Sequence, residues 1–297
     1  MSINVNTFSI VASDPKDSSF GVAVASKFLA VGSIVSWAQS EVGAIATQAH
    51  AKIAFGPDGL QMLAGGRSAS EVLLALLSDD SRAETRQLAI VDTHGGVAAH
   101  TGIKCHEWAG HLIGDHYSCQ GNILVGPETL DAMEASFVST TGELSDRLIA
   151  ALKAGDAAGG DSRGKQSAAI LVVKPGGGYG GDTDCYLDLR VDDHQDPVNK
   201  LSKLVEMHHL FFGSTVTSDL VMIDEQIATE LQLLLKDQGY DVVDAIGVWN
   251  EASKQAFWSF VGKENLEERW SIDGDTDSID VVVLEYLRQK FNLINLS

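Results

Sequence analysis

A chain of 297 residues exceeds the usual size of one compact domain, so its length predicts one large domain or two unequal ones. The formal net charge of −20 disfavours nucleic acid and anionic membrane surfaces as partners. Hydrophobic residues make up 44% of the sequence, but no apolar run approaches the length of a membrane span, which indicates a globular chain with a sizeable core.

The first residues and the cysteines bear on the cellular compartment. Residues 1–6 contain neither a basic region nor a long apolar core, so we expect no secretory signal. Cys105, Cys119 and Cys185 are odd in number and widely spaced, which disfavours a disulfide scaffold and fits a reducing compartment. We therefore expect a cytoplasmic protein.

The predicted elements of the first two thirds of the chain alternate between groups of strands and pairs of helices. Strands, indicated by β-prone runs between turn residues, are predicted at 7–12, 20–26, 33–38, 42–48, 87–92, 97–101, 117–125, 167–173 and 185–191. Helices, indicated by a 3.6-residue apolar period, are predicted at 57–63, 68–77, 127–137, 144–154 and 197–210. This order predicts an α+β fold, a four-layer αββα sandwich of two antiparallel sheets with helices outside.

The composition changes in a polar, Ser- and Thr-rich stretch between Phe212 and Val221, which we predict to be the domain boundary. The sandwich then occupies residues 1–214. Residues 220–297 form a small helical domain, for which three helices are predicted at 227–235, 252–261 and 281–291.

Segments of the first domain resemble a known family. They lie at 7–12, 21–32, 46–49, 120–124, 159–169 and 188–194. Together they resemble the DUF1028 family, which is similar in fold to the N-terminal-nucleophile (Ntn) hydrolases, the superfamily of proteasome β-subunits and amidases. The resemblance implies that fold and its chemistry but no substrate. Residues 231–240 and 263–269 resemble a peptidoglycan-binding module that often follows this domain.

Thr7 begins the first strand and is the catalytic nucleophile that the resemblance implies. In Ntn chemistry the hydroxyl of a chain-initial Thr, Ser or Cys attacks, and its own α-amine, with a pKa of about 7.7–8.0, acts as the base. Six residues precede Thr7, and an amide nitrogen cannot act as a base, so activity requires removal of residues 1–6. The alternative is that Thr7 is an ordinary strand residue with a satisfied hydroxyl.

Three further candidates are expected near Thr7. Ser26 and Lys27 end the second strand and lie beside Thr7 if the hairpin pairs in full; Ser26 would contact substrate, and the Lys27 ammonium would stabilise developing negative charge. Asn122 follows a glycine, and its side-chain amide suits an oxyanion donor. The alternatives are a solvated lysine at a strand end and an asparagine in a turn.

Substrate-binding side chains are also predicted on an early strand and in a glycine-rich loop. Gln48 and His50 end the early strand and could line the same cleft. Asp161, Arg163 and Gln166 belong to the loop, whose glycines let the backbone approach a ligand closely. The alternative for the loop is a flexible connection with a local ion pair.

No metal and no cofactor are expected. His106, His111 and His116 are five residues apart, which matches neither a helix face, nor a strand face, nor the usual zinc spacings. The acidic run at 182–194 lacks the glycine and terminal glutamate of a calcium loop. The glycines at 176–181 precede no helix, so they predict a hairpin turn rather than a phosphate-binding loop.

Together the sequence predicts an Ntn-type hydrolase that acts on an amide bond of a small molecule or peptide. The alternative is a non-catalytic binding or scaffold protein on the same fold, because a fold does not fix a function. Cell-wall association conflicts with the missing export signal, so we expect the C-terminal module to be a protein-contact or dimerisation element, and we expect the protein to be a homo-oligomer. The state of the Thr7 amine discriminates the enzyme from the binding protein.

Overall fold

The computed structural model describes residues 4–5, 7–213, 219–242 and 246–293. The chain divides into two compact units, Met1–Val205 and Glu206–Ser297. Residues 214–218, which make up most of the polar stretch predicted to be the domain boundary, lie outside the described residues.

The first unit contains two antiparallel sheets. Its strands are β1 (Asn4–Val5), β2 (Thr7–Asp14), β3 (Ser19–Ser26), β4 (Ser36–Gln39), β5 (Gly43–His50), β6 (Arg86–Asp92), β7 (Val97–Thr101), β8 (Gly110–Gly114), β9 (Tyr117–Asn122), β10 (Ser167–Val173) and β11 (Cys185–Val191). Its helices are α1 (Gly32–Val35), α2 (Phe55–Ala64), α3 (Ala69–Ser78), α4 (Glu128–Ser139), α5 (Leu144–Ala157) and the first part of α6 (Pro197–Phe212). In the five-stranded sheet β1 and β4 both pair with β5, and β6 and β7 follow; the six-stranded sheet has the order β11, β10, β3, β2, β9, β8.

The packing of apolar faces produces four layers. Helices α2 and α3 cover the outer face of the five-stranded sheet, where Leu60 packs with Ile45 in one apolar cluster. Helices α4 and α5 cover the outer face of the six-stranded sheet, where Leu148 packs with Ile10. A third cluster, which includes Val22, lies between the two sheets. The α+β class and the αββα architecture are confirmed, and each buried Leu or Ile contributes about 1.5–3 kcal/mol to their stability.

The hairpin of β2 and β3 sets which side chains point between the sheets. Both strands are buried at every position because both faces of their sheet are covered. They pair through to their ends, where Thr7 faces Ser26. Since side chains alternate between faces, Phe8 and Ile10 pack under the helices, whereas Thr7 and Ser9 point towards the other sheet.

The strand predicted at 33–38 is wrong in its first half. Helix α1 occupies Gly32–Val35, and β4 begins only at Ser36. The chain turns here because Ala30 has a φ of 53° and Ser33 Oγ donates a hydrogen bond to the Ala30 carbonyl oxygen at 2.7 Å. Valines of this turn are buried between the sheets, which gave the segment the apolar pattern of a strand. The short strands β1 and β8 were not predicted.

The second unit is mainly helical. It contains β12 (Leu220–Met222), α7 (Glu225–Asp237), α8 (Glu251–Glu264), β13 (Ser278–Asp280) and α9 (Val281–Phe291). The three predicted helices are confirmed; the small β12–β13 pair was not predicted. Asp224, Asn250 and Asp280 cap the helices by accepting a hydrogen bond from a backbone N–H. The core is aromatic, with the rings of Phe257 and Trp270 edge to face at 4.9 Å between centroids.

Across both units, none of the helices within the described ranges combines the length and the apolar composition that a membrane crossing requires.

Candidate functional site

The space between the two sheets has an apolar end and a polar end. Valine and alanine fill the apolar end, namely Val11, Val22, Val24, Ala44, Ala46, Ala89 and Val91. Hydroxyl and amide side chains, each 2% exposed or less, fill the other end: Thr7, Ser9, Ser26, Gln48, Gln87, Ser118, Gln120 and Asn122. We call this second set the polar layer. Because a buried polar group without a hydrogen bond costs about 1–3 kcal/mol, the partners of these side chains decide whether the layer is stable.

Hydrogen bonds between side chains join the two sheets through the polar layer. Ser9 Oγ donates to Gln48 Oε1 at 2.6 Å and accepts from Gln120 Nε2 at 2.7 Å. Gln48 Nε2 and Asn122 Nδ2 both donate to Gln87 Oε1, each at 2.8 Å. Gln87 Nε2 in turn donates to two backbone carbonyl oxygens at 2.7 and 3.0 Å. The orientation of the Gln87 amide is thereby fixed, and it fixes the two amides that donate to it.

Thr7 begins β2 at the polar end and is fully buried. Its neighbours across the sheet are Ser26 on β3 and Asn122 on β9. The Thr7 hydroxyl donates to Ser26 Oγ at 3.3 Å. The structure therefore brings together three residues that the sequence placed at the site from separate segments.

The chain reaches Thr7 from the other sheet. Asn4 and Val5 form β1, which pairs with His50 and Ala49 at the end of β5. Val5 is therefore attached to the five-stranded sheet, whereas Thr7 belongs to the six-stranded sheet. In the uncleaved chain the Thr7 nitrogen is a peptide amide, so only a chain that lacks residues 1–6 has a base at this position.

Asn122 is oriented by its bond to Gln87 and retains donor capacity. One of its two amide N–H groups donates to Gln87, and the second has no partner within the described part of the chain. The next residue, Ile123, has a φ of 52°, which is unusual for a β-branched side chain. Its N–H donates to the His106 carbonyl oxygen at 3.1 Å. A side-chain amide held in place with a spare N–H suits the stabilisation of an oxyanion.

Lys27, Asp161 and Arg163 meet at the end of β3. The buried Asp161 carboxylate accepts from the Lys27 backbone N–H at 2.9 Å and from Arg163 Nε and Nη2 at 3.0 and 2.7 Å. The bond from Lys27 ties the glycine-rich loop to the end of β3, and Arg163 holds the carboxylate within the loop through a bidentate pair. The Lys27 ammonium is exposed and donates to the Lys165 carbonyl oxygen at 3.2 Å, so it lies outside the buried polar layer.

Gln166 ties the same loop to the end of β3 and to the segment that follows β11. Its backbone N–H donates to the Ser26 carbonyl oxygen at 3.0 Å, and its carbonyl oxygen accepts from the His194 N–H at 2.7 Å. Its side-chain Nε2 donates to Asp193 Oδ1 at 3.1 Å at an exposed position. The structure thus places the backbone of Gln166 next to the site and directs its side chain elsewhere.

His50 lies at the rim of the polar layer with two basic residues that the sequence analysis did not assign to the site. Arg82 Nη2 donates to His50 Nδ1 at 3.0 Å, and the ring of His106 lies 6.0 Å from that of His50 between centroids. Burial is the largest cause that lowers the pKa of His50, followed by the positive charges of Arg82, His106 and Arg86. The imidazole is therefore mainly neutral at pH 7, which leaves Nδ1 free to accept from Arg82.

The three evenly spaced histidines have separate environments. His106 lies beside His50, as described above. His111 Nδ1 bonds Thr101 Oγ1 at 2.9 Å, and burial, with a smaller effect of His100, lowers its pKa. His116 Nδ1 lies 3.3 Å from Ser13 Oγ.

Sequence reasoning missed four members of the polar layer: Ser9, Gln87, Ser118 and Gln120. A signal for them exists, because side chains at alternate positions of a strand share a face. Along β9 the polar residues recur with this period, at Ser118, Gln120 and Asn122. Every residue of β9 is buried, so a polar stripe there must face other polar groups.

The fold and the site together define an αββα sandwich with a buried polar layer at the start of its central hairpin. The chain belongs to the DUF1028 family: residues 7–201 match the model described as "Family of unknown function (DUF1028)". Residues 215–287 match a model described as "Putative peptidoglycan binding domain". The chain is similar to the crystal structure of protein SPO2555 from Silicibacter pomeroyi, a DUF1028 protein, with 32% identity and a TM-score of 0.63 over 72% of this chain and 93% of that one. No curated protein matches the chain.

Proposed function

We propose that the protein is an Ntn-type hydrolase that cleaves an amide bond of a small molecule or peptide, with Thr7 as nucleophile once residues 1–6 have been removed. The observation that carries this proposal is the place of Thr7 in the polar layer, where its hydroxyl bonds Ser26 and its strand neighbour is the oriented amide of Asn122.

The proposed reaction has two stages. In the cleaved chain the Thr7 α-amine accepts the hydroxyl proton, and Oγ1 attacks the carbonyl carbon of the substrate amide. The spare N–H of Asn122 stabilises the tetrahedral oxyanion. The α-ammonium then protonates the leaving nitrogen, the amine departs and an ester to Thr7 remains. Water, deprotonated by the same α-amine, hydrolyses the ester and releases the carboxylic acid.

The other predicted site residues support this centre in the proposal. Asp161 and Arg163 act as positioning residues, because the carboxylate holds the backbone directly after Ser26. Gln48 positions Gln87 and, through it, Asn122. The exposed Lys27 ammonium contributes positive potential at the rim rather than a direct contact with Thr7.

We further propose that the protein acts in the cytoplasm as a homo-oligomer, with the second unit as its protein-contact element and with no nucleic acid or membrane partner. The net charge of −20 supports the last point.

A non-catalytic binding protein on the same fold is the second candidate. One observation favours it: in the uncleaved chain Thr7 is 0% exposed, and its nitrogen is an amide. In this state Thr7 offers no free amine and its hydroxyl is held by Ser26, which fits an interior that is ordered without being catalytic.

The test compares chains that begin at Thr7, prepared with a leader sequence that a specific protease removes. Release of amine is measured over a panel of N-acyl amino acids, dipeptides and simple amides. The chain that begins at Thr7 is expected to turn over at least one of them, Thr7→Ala to turn over none, and Thr7→Ser to retain part of the rate. Thr7→Ala is a matched control because it keeps the α-amine and removes the hydroxyl, together with the small γ-methyl group.

The uncleaved chain serves as the second control and is expected to be inactive until it loses residues 1–6. A folded chain with a free Thr7 amine that hydrolyses no amide in the panel would replace the hydrolase with the binding protein. Equal rates for the Thr7→Ala chain would reject Thr7 as the nucleophile.

A further inference from the structure

Three basic side chains form a cluster at the end of β5, on a protein that is otherwise strongly acidic. We call His50, Arg82 and His106 the basic cluster. Arg82 is exposed, and the described side chains offer its guanidinium no carboxylate; its side-chain partner is His50 Nδ1 at 3.0 Å. His50 thus holds one end of the guanidinium, and the remaining N–H groups point to solvent or to a ligand.

Two acids close to the cluster in the sequence, Asp80 and Glu84, are paired with other bases. Asp80 Oδ2 accepts from Arg86 Nε at 2.6 Å, and both side chains are less than a tenth exposed. Glu84 pairs with Lys104. The charged groups that act on the pKa of His50 are all bases, and each of them lowers it. The cluster is therefore a site of uncompensated positive potential, on a chain whose formal net charge is −20.

The basic cluster adjoins the polar layer through the backbone. His50 follows Gln48 by two residues on β5, and the His106 carbonyl oxygen accepts from the residue directly after Asn122. At both junctions a non-glycine residue has a left-handed backbone: Ala49 with a φ of 61° and Ile123 with a φ of 52°. Such conformations are strained for residues other than glycine and concentrate at functional sites.

We propose that the basic cluster is a carboxylate subsite, so that the substrate is an amide that also carries a carboxylate, such as an N-acyl amino acid or the C-terminal end of a peptide. Arg82 binds the carboxylate through the N–H groups that His50 does not use, and His106 contributes a further ring N–H. The anion is held at the rim while its amide reaches the Asn122 end of the polar layer. The bound carboxylate is a substrate only if the proposed hydrolase function holds, and the inference rests on that function to this extent. Binding of the carboxylate itself does not require turnover.

The test measures binding of N-acetylglycine, which carries an amide and a carboxylate, against the neutral N-acetylglycinamide. Both the uncleaved chain and the chain that begins at Thr7 are titrated, and the ring signals of His50 and His106 are followed by NMR. N-acetylglycine is expected to shift both signals in a saturable manner in at least one form, and N-acetylglycinamide to bind at least about tenfold more weakly.

The variant Arg82→Gln is expected to weaken the binding of N-acetylglycine by at least about tenfold, and Arg82→Lys by less, because the charge remains and the planar donor pair is lost. Arg67→Gln is the matched control, because it also removes an exposed arginine. Arg67 lies just before α3, and Ala69 at the start of α3 donates to Asp92, which is at the end of the five-stranded sheet opposite to His50. Arg67→Gln should leave binding unchanged.

The outcomes separate this inference from the hydrolase proposal. Binding that needs the carboxylate and Arg82, without turnover of any amide, retains the subsite and rejects the hydrolase. Turnover of neutral and carboxylated amides at equal rates, unaffected by Arg82→Gln, retains the hydrolase and overturns the subsite. Failure of N-acetylglycine to shift either histidine in both forms of the chain also overturns the subsite.

Discussion

The two ends of the space between the sheets are formed by the same strands but by different side chains. On β2, Val11 occupies the apolar end and Ser9 the polar end; on β6, Val91 and Gln87 do the same. All four residues are 0% exposed, so access to solvent does not account for the difference. What differs is the kind of interaction that stabilises each end.

The apolar end gains about 0.8 kcal/mol per buried methylene, without any demand on orientation. At the polar end a satisfied hydrogen bond contributes about 0.5–1.5 kcal/mol, and an unsatisfied group costs about 1–3 kcal/mol. Valine along the whole length would serve stability more simply. The polar end instead contains Thr7, and the basic cluster lies at its rim. We infer that the apolar end holds the sheets together and that the polar end orients groups for chemistry.

The largest expected effect comes from Asn122→Ala in the chain that begins at Thr7. The rate of amide hydrolysis should fall about 100–1000-fold, because one oxyanion donor is lost while the fold is kept. Ser118→Ala on the same strand is the matched control, since its hydroxyl bonds Gln120 and not Gln87. If the two variants reduce kcat alike, or Asn122→Ala has no effect, the polar end has no catalytic donor at this position.

A second prediction compares the two ends directly on β6. Gln87→Leu leaves the amide groups of Gln48 and Asn122 without their acceptor, so the free energy of unfolding of the first unit should fall by about 3 kcal/mol or more. Val91→Ala at the apolar end should lower it by about 2 kcal/mol, from lost methyl groups and a small cavity. Urea unfolding followed by circular dichroism measures both.

The discriminating readout is function. Gln87→Leu should also lower turnover in the chain that begins at Thr7, by at most the factor expected for Asn122→Ala, because it releases Asn122, whereas Val91→Ala should leave kcat nearly unchanged. An unchanged kcat in a folded Gln87→Leu variant would show that the polar layer does not orient the site.

Much of the fold could be predicted because the residues that begin and end its strands are neighbours in the sequence. The bounds predicted for β7, β10 and β11 are those observed, since turn residues and glycines flank these strands. The segment 33–38 failed because an apolar β-branched run does not distinguish a buried helical turn from a strand. Only part of the site could be predicted, because its side chains are joined by contacts between segments that are distant in the sequence. Gln87 bonds Asn122 across 35 residues and between two sheets, a pairing that no local pattern encodes.

The smallest expected effect concerns His50 at the rim. Its pKa should lie below the ordinary value of 6.5, and Arg82→Gln should raise it towards that value by removing a neighbouring positive charge. Because the pKa of His50 is lower in the folded chain than in the unfolded chain, the unfolded chain binds the proton more readily at pH values between these two pKa values. The contribution of His50 to stability is therefore complete above about pH 6.5 and is lost as the pH falls through the folded pKa.

An NMR titration of the histidine ring signals measures this pKa, with His94, which is distant in the chain and in a turn, as an internal reference. A His50 pKa at or above 6.5, or one that Arg82→Gln leaves in place, would contradict the positive potential assigned to the basic cluster.

Thr7, once freed from residues 1–6, is proposed to act as a nucleophile at the polar end. Labelling tests this: the chain that begins at Thr7 is exposed to an electrophile that reacts with an N-terminal threonine, and the adduct is located by intact mass and peptide mapping. One label per chain is expected, on Thr7, and none on the Thr7→Ala chain or on the uncleaved chain. A folded chain with a free Thr7 amine that takes up no label, or takes it up equally after Thr7→Ala, would show that Thr7 is not the nucleophile.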